Sequence, residues 1–447
     1  MARTTPMSGF PEFLPADRII EQRVLDALTT VFELHGFGSV ETRAIEPLEV
    51  LAGKGEVDKE VYAVRRLHAD TDGDDAPVWG LHYDLTVPFA RYVLEHAGKL
   101  QFPFRRYQVQ KVWRGERPQE GRYREFTQAD VDIVGADVLA DHHDVEIVAV
   151  AADGFARLRR DLGFPAAVLR VNNRKLAEGF YTGLGIDDPA AVLQRIDKLD
   201  KIGPDRVAAS LVADCGVTEA VARSCLALAE IATTDESFVD RVRALGVDHP
   251  LLDEGLELLA AVVRGAGRVA PGLVRADLSI ARGLDYYTGT VLETQLAGYE
   301  SLGSVASGGR YDRLASDGRR TYPGVGFSFG VSRMLVPLLG QGVLTTDRSV
   351  PTCVLVAVDA DESRDAAFAT ATTLRGRGIP AEVAPKADRF GKQIRYADRR
   401  GIPYVWFARP DGDEVKDIRS GDQVAADADS WQPPADDVRP RVRPAGE

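Results

Sequence analysis

Residues 113–130 read Trp113-Arg114-Gly115-Glu116-Arg117-Pro118-Gln119-Glu120-Gly121-Arg122-Tyr123-Arg124-Glu125-Phe126-Thr127-Gln128-Ala129-Asp130. Within residues 104–134, two strand-like runs flank the basic loop Arg117-Pro118-Gln119-Glu120-Gly121, where proline and glycine mark a turn. The pattern is that of a β-hairpin. An arginine stands two residues before a glutamate, a second arginine follows the turn, and a phenylalanine enters the return strand. Guanidinium is charged at any working pH and offers a planar fork that fits an oxyanion bidentately. A solvated surface hairpin would account for the charge but not for this ordered mixture of fork, carboxylate and flat ring.

Further along, Arg282-Gly283-Leu284-Asp285-Tyr286-Tyr287-Thr288-Gly289-Thr290-Val291 packs a fixed cation, a carboxylate and two phenols between glycines. Phenols supply rigid walls with a polar tip, so the run suits a pocket for a small polar ligand better than a core strand. Gly324-Val325-Gly326-Phe327-Ser328-Phe329-Gly330-Val331-Ser332-Arg333-Met334 reads as a glycine-studded strand running into a helix that bears an arginine. Glycine lets a backbone lie against a flat ligand, and Arg333 can stack on the other face of such a ligand.

The chain has 447 residues, too long for a single core, so two or three domains are expected. Its 45% hydrophobic and 28% charged residues are ordinary for a globular protein. No apolar stretch has the length of a membrane helix, and the start lacks an apolar signal core, so a cytoplasmic protein is expected. Cys215, Cys225 and Cys353 form no C-x-x-C pair, so no disulfide framework or zinc knuckle is indicated. The net charge of −13 speaks against nucleic acid, yet it hides basic patches. Residues 101–125 hold seven Arg/Lys against three Glu, and residues 386–400 hold six basic residues against two Asp.

Residues 16–35 have helical apolar spacing closed by Gly36, and 143–162 form a second amphipathic pattern. From about Asp187 to Ala270 aromatics nearly vanish and the spacing is helical throughout, as in a separate insert. Beyond Val350, strands at 353–358, 381–383 and 404–407 alternate with helices at 363–374 and 390–400, which indicates a small α/β domain with a largely parallel sheet. The Pro-, Asp- and Arg-rich residues 431–447 read as a disordered tail. His142 and His143 start a charged helix, where neighbours point apart and no third ligand is spaced to complete a metal site.

The hairpin resembles motif 2, and the glycine strand motif 3, of class II aminoacyl-tRNA synthetases. Gly36-Phe37-Gly38 through Glu49, with Pro47, is similar to motif 1, which in that family builds the dimer interface. The runs Arg282 to Val291 and Ser307-Gly308-Gly309-Arg310-Tyr311-Asp312 resemble the two histidine motifs of the histidyl-tRNA synthetases. Leu81-His82-Tyr83-Asp84-Leu85-Thr86-Val87-Pro88-Phe89-Ala90-Arg91 is similar to the segment that receives the α-amino group, and Gly9 to Pro15 is a looser match at the start. Together these matches cover residues 1–345 outside the insert. Phe390 to Pro403 resembles the anticodon-binding module of the same subgroup, and the chain beyond Gln423 departs from it.

The resemblance implies an α+β fold: a class II antiparallel sheet flanked by helices over 1–345, a helical insertion at 187–270, and an α/β anticodon-binding domain at 350–430. It implies ATP-dependent attachment of L-histidine to tRNA(His) by a homodimer, with Mg²⁺ carried by ATP rather than held by a protein metal site. Arg114, Glu116, Arg122, Phe126 and Arg333 would bind ATP. Asp84, Thr86 and Gln128 would take the ammonium, and Arg282 the carboxylate. Asp132, Tyr287 and Tyr311, with Tyr286 beside them, would read the imidazole. Arg114 and Arg282 would be the catalytic pair. The family often has Glu where this chain has Asp84 and Asp132, each one methylene shorter. The rival implied by the same resemblance is a non-catalytic, histidine-sensing paralogue that serves as a regulatory subunit.

Overall fold

The computed structural model describes residues 5–52, 60–67, 79–281, 287–313, 315–316, 318–409 and 411–444. The chain forms two compact units, one of Met1–Pro11 with Leu25–Pro337, the other of Glu12–Val24 with Leu338–Glu447.

Among the described residues, the first unit is built on a nine-stranded sheet. Its order is Gly38–Ser39, Phe104–Trp113, Glu125–Val134, Gly324–Gly330, Ala306–Tyr311, Thr290–Leu296, Ala167–Asn173, Val274–Asp277 and Ala232–Thr233. Neighbours are antiparallel except at Gly38–Ser39 beside Arg106–Tyr107 and at Ala167–Asn173 beside Val274–Asp277. The long hairpin expected from residues 104–134 supplies its second and third strands, paired over ten residues from Phe104↔Val134 to Trp113↔Glu125.

Strand residues alternate faces, and here the two faces differ in kind. Ala129, Val131, Ile133, Val325, Phe327 and Phe329 form one face, all buried. They pack beneath the helix His142–Leu162, with Phe155 5.0 Å from Phe329 and 6.4 Å from Phe327. Phe32, from the helix Pro15–Leu34, meets Phe329 at 5.9 Å and Tyr107 at 5.6 Å. The opposite face is polar and is the subject of the next subsection.

The stretch 187–270 is helical as expected, apart from the short strand Ala232–Thr233. It is not a separate body, because its last helix, Pro250–Val269, presses against the helix Arg174–Gly183 at Gly255. A Cβ there would lie 2.2 Å from the Leu176 backbone nitrogen, so only glycine permits the approach. The strand also joins the edge of the main sheet through Val274–Asp277.

The second unit has a five-stranded sheet in the order Ala381–Val383, Val354–Ala357, Tyr404–Phe407, Glu414–Asp417, Gln423–Ala425. The first three strands are parallel and alternate with the helices Arg364–Gly376 and Phe390–Arg400. The last two are antiparallel additions that the sequence pattern did not reveal.

The expected disorder of 431–447 does not hold for its described part. Trp431 packs against Tyr404 and Trp406 at 5.2 and 5.6 Å, and Val442–Pro444 pairs with Leu344–Thr346. Between them Asp437 is buried, accepting from the Tyr404 hydroxyl at 2.7 Å and from both terminal nitrogens of Arg419 at 2.9 and 2.7 Å. These donors hold its carboxyl at about 2. Arg348, also buried, donates to the Asp437 carbonyl at 2.6 Å. Tail composition misleads here because one of its carboxylates, that of Asp437, is a partner of core groups rather than solvated. Deleting 431–447 removes the Asp437 partner of Tyr404, Arg419 and Arg348 and uncovers Trp406. The truncated protein is expected to melt at least about 4 °C below the full chain in a thermal scan, whereas a solvated tail would leave the melting temperature unchanged.

Candidate active site

Strand register places Arg106, Gln108 and Gln110 directly opposite Asp132, Asp130 and Gln128, with Gly326, Ser328 and Gly330 opposite the same three on the other side. Period-two spacing puts all nine on the polar face of the sheet. The backbone there has no room for another side chain. A Cβ at Gly326 would lie 2.0 Å from the Asp132 carboxylate, so glycine creates the space that the carboxylate fills.

Asp84, Asp130 and Asp132 are all buried on this face, and among the described residues the guanidinium buried with them is that of Arg106. Arg106 meets Asp132 at 2.7 Å and lies 4.1 Å over the ring of Phe89, on the helix Thr86–His96 that covers the face. It also reaches Gln108 and the Leu85 carbonyl, each at 3.4 Å. Asp132 accepts from the Tyr311 hydroxyl at 2.8 Å through its other oxygen. Asp84 uses one oxygen to accept from the Val87 amide at 3.1 Å, tying down the first turn of that helix. Its second oxygen is buried with no partner, as is the carbonyl oxygen of Gln128. Buried acceptors without donors are rare, and two on one face mark a place where a ligand's donors belong.

Burial sets the electrostatics. Desolvation pushes Asp84 up to about 6, against the Val87 amide, Arg114 and Arg106, and Asp130 up to about 7, against Arg106, with neighbouring carboxylates adding to both rises. Desolvation also raises Asp132 against the pull of Arg106 and Tyr311. Three buried carboxylates gathered on one face suit a ligand ammonium.

A second cluster gathers cations around the hairpin turn. The Arg114 guanidinium donates to the Tyr83 carbonyl at 3.0 Å, next to Asp84, and lies 5.1 Å over the Phe126 ring. Glu116 stands 4.0 Å from Arg114 and accepts from Arg122 at 3.3 Å. Arg333, on the helix Val331–Gly340, donates to the Leu302 carbonyl at 2.5 Å, and its Nε is buried without a partner. Burial first, then Arg122 and Arg114 nearby, lowers Arg333. Like charges held this close call for an anion between them. Glu60 is adjacent, its carbonyl accepting from Gly115 at 2.8 Å, and burial and Glu116 push its carboxyl up.

The residues expected from the sequence therefore fall into two adjoining groups. Asp84, Thr86, Gln128, Asp132, Tyr287 and Tyr311 surround the carboxylate face, Thr86 as the first residue of the covering helix. Arg114, Glu116, Arg122, Phe126 and Arg333 form the cation cluster. Arg282 and Tyr286 lie outside the described residues. Arg106, Asp130, Ser328 and Glu60 were not anticipated. Arg106 in particular had been counted in a basic surface patch, yet it is fully buried, while Arg105 beside it points away to Glu146. Alternation along the strand was the signal that separates them. His142 and His143 do not point apart: their rings are 4.1 Å apart, and His143 engages Glu146 at 3.0 Å.

The raised Asp130 has a consequence for stability. Between its ordinary value of 3.8 and about 7, the folded protein holds a proton that the unfolded chain has released, so this group's contribution falls as pH rises through that window. Asp130→Asn cannot ionise. Its melting temperature relative to wild type is expected to be higher at pH 8 than at pH 5, and thermal scans at both values check this.

This pairing of a carboxylate face with a guanidinium cluster on a class II-like sheet has counterparts among known proteins. A family model described as histidyl-tRNA synthetase matches residues 9–334, and one described as an anticodon binding domain matches residues 352–410. The histidine–tRNA ligase of Cutibacterium acnes is 60% identical, with 99% of each chain covered, and that of Micrococcus luteus is 57% identical over 99% of each. A crystal structure of histidyl-tRNA synthetase from a Nostoc species superposes with a TM-score of 0.84 at 32% identity, covering 96% of this chain and 98% of that one. By sequence over its whole length and by the architecture that frames the two clusters, this chain belongs to the histidyl-tRNA synthetase family.

Proposed function

We infer that the chain activates L-histidine with ATP and transfers it to tRNA(His). The observation that carries this reading is the position of Arg114. Its guanidinium sits at the junction of the two clusters, bonded to Tyr83 beside Asp84 on one side and facing Glu116 and Phe126 on the other. A reaction between an amino-acid carboxylate and a nucleotide phosphate needs stabilised anions at such a junction.

Histidine presents an ammonium, a carboxylate and an imidazole. The unpaired oxygens of Asp84 and Gln128 suit the ammonium, with Thr86 at the helix start beside them. Asp132, anchored by Arg106, keeps lone pairs for an imidazole N–H. Tyr311 has committed its one proton to Asp132, so donation to the second ring nitrogen falls to Tyr287. A pocket built this way rejects side chains lacking those partners by roughly 10⁴–10⁵. On the nucleotide side, Arg114 and Arg282 would hold the α-phosphate, Glu116 the adenine amino group, Phe126 and Arg333 the two faces of the base, and Arg122 the outer phosphates. Mg²⁺ on those outer phosphates would neutralise the departing pyrophosphate.

The carboxylate oxygen of histidine attacks the α-phosphorus as the bond to pyrophosphate breaks, giving histidyl-adenylate. The terminal ribose hydroxyl of tRNA then attacks the activated carbonyl, releasing AMP. The first step needs charge stabilisation rather than a protein base, since the nucleophile is already an anion. In the second unit, the helix Phe390–Arg400 is fastened to its sheet by buried Gln393, which bonds the Val358 amide and carbonyl. It displays exposed Arg389, Lys392, Arg395 and Arg399, which suits contact with tRNA phosphates. Motif 1 supports a homodimer. The regulatory-paralogue reading is weaker, because the cation cluster is complete in its described members and the second unit is present.

Pyrophosphate exchange with each of the twenty amino acids, followed by charging of total tRNA, tests this function; exchange with any amino acid in preference to histidine would refute it. Arg114→Gln and Arg282→His are expected to lower histidine-dependent exchange by about 10²–10³ while the melting temperature stays near wild type. Asp84→Asn is expected to raise the histidine KM by about tenfold or more and to leave the ATP KM unchanged, measured in the same assay.

A further inference from the structure

The Gln128 carboxamide can receive an ammonium only if its carbonyl, not its NH₂, faces the ligand. Two neighbours determine which end points where. Gln128 Nε2 donates to Ser328 Oγ at 2.8 Å, and the Ser328 hydroxyl in turn donates to Asp130 Oδ1 at 2.5 Å. Ser328 is directly opposite Asp130 in the sheet, so the relay is built into strand register. We propose that Ser328 and Asp130 are positioning residues that fix the Gln128 carboxamide with its carbonyl toward the amino-acid ammonium, and that they do so only while Asp130 is a carboxylate.

The argument is one of donor counting. An ionised carboxylate only accepts, so it claims the single proton of Ser328. Ser328 Oγ is then left with lone pairs alone and can take only a donor from Gln128, which is its NH₂. The Gln128 carbonyl is thereby turned to the place where it has no protein partner. Once Asp130 takes up a proton it donates to Ser328, whose own proton is freed to turn toward a Gln128 carbonyl. Both amide orientations are then allowed, and one of them presents N–H groups to the ammonium.

The charged and titratable groups around Asp130 are Arg106 on the strand Phe104–Trp113, Asp132 on its own strand and Asp84 before the helix Thr86–His96, with the Ser328 hydroxyl across from it. Burial among these groups brings Asp130 to about 7, so the lock releases within the working pH range. The proposal rests on the reading that Gln128 receives the ammonium.

The test compares histidine KM, ATP KM and kcat in pyrophosphate exchange at pH 8 and pH 6. Gln128→Met first tests the underlying reading: an unchanged histidine KM overturns that reading and this proposal with it. Given a raised KM there, Ser328→Ala is expected to raise the histidine KM about tenfold at pH 8, with ATP KM and kcat within about twofold of wild type. Ser328→Thr, which keeps the hydroxyl, is expected to stay near wild type. The ratio of the Ser328→Ala KM to the wild-type KM is expected to fall toward one at pH 6, where wild type loses the lock too; titration of histidine itself cancels in that ratio. A ratio near one at pH 8, or an equal ratio at both values, overturns the proposal. A merely structural role for Ser328 would shift the ATP KM as well and would show no such pH dependence.

Discussion

The buried guanidinium of Arg106 holds together a face that would otherwise repel itself. Asp84, Asp130 and Asp132 are all removed from water, and each feels Arg106. Arg106 is itself clamped between the Phe89 ring and the Asp132 carboxylate. Leaving such a buried charge without its partner typically costs about 3–5 kcal/mol. The same gathering of buried carboxylates that costs stability makes the face receptive to an ammonium. Stability and affinity are thus set by one feature, and the site is bound to be less stable than an apolar face of the same size.

The sheet separates these demands. Its apolar face, built from Val131, Ile133, Val325, Phe327 and Phe329 beneath Phe155 and Phe32, supplies the packing that keeps the strands in register. Register is what the chemistry uses. A slip of one residue would move Asp130, Asp132 and Gln128 to the wrong face, and Gly326 would no longer stand opposite Asp132. Rigid strands hold Gln128, Asp132 and Tyr311 of the proposed amino-acid pocket, which suits a pocket that would discriminate by matching donors to acceptors. The guanidiniums of the cation cluster come from the hairpin turn and the start of a helix, at the edge of that rigid platform.

Much of this was legible in the chain because the informative residues are both polar and locally ordered. The hairpin announced itself through a proline and a glycine between two strand-like runs, and Arg114, Glu116, Arg122 and Phe126 ride on it at fixed spacing. The helices Pro15–Leu34 and His142–Leu162 followed from periodicity. Arg106 was misread because a run of basic residues resembles a surface patch until strand alternation is applied to it. Ser328 was hidden by chemistry: a serine between two phenylalanines carries no charge, and its role depends on a carboxylate almost two hundred positions away. The tail failed for a related reason, since the Asp437 carboxylate looks solvated unless the partly exposed Arg419 and the Tyr404 hydroxyl are known to wait for it.

The sequence by itself determined most of the elements, the two clusters of chemistry and the family, because these depend on residue type and short-range spacing. Only the tertiary structure decided which polar groups share a face, which oxygens of Asp84 and Gln128 stay unpaired, and how far Asp130 is pushed from its ordinary acidity. Those properties arise from desolvation and from contacts between strands remote in the chain. Neither is a property of any short stretch of residues, so no local reading could contain them.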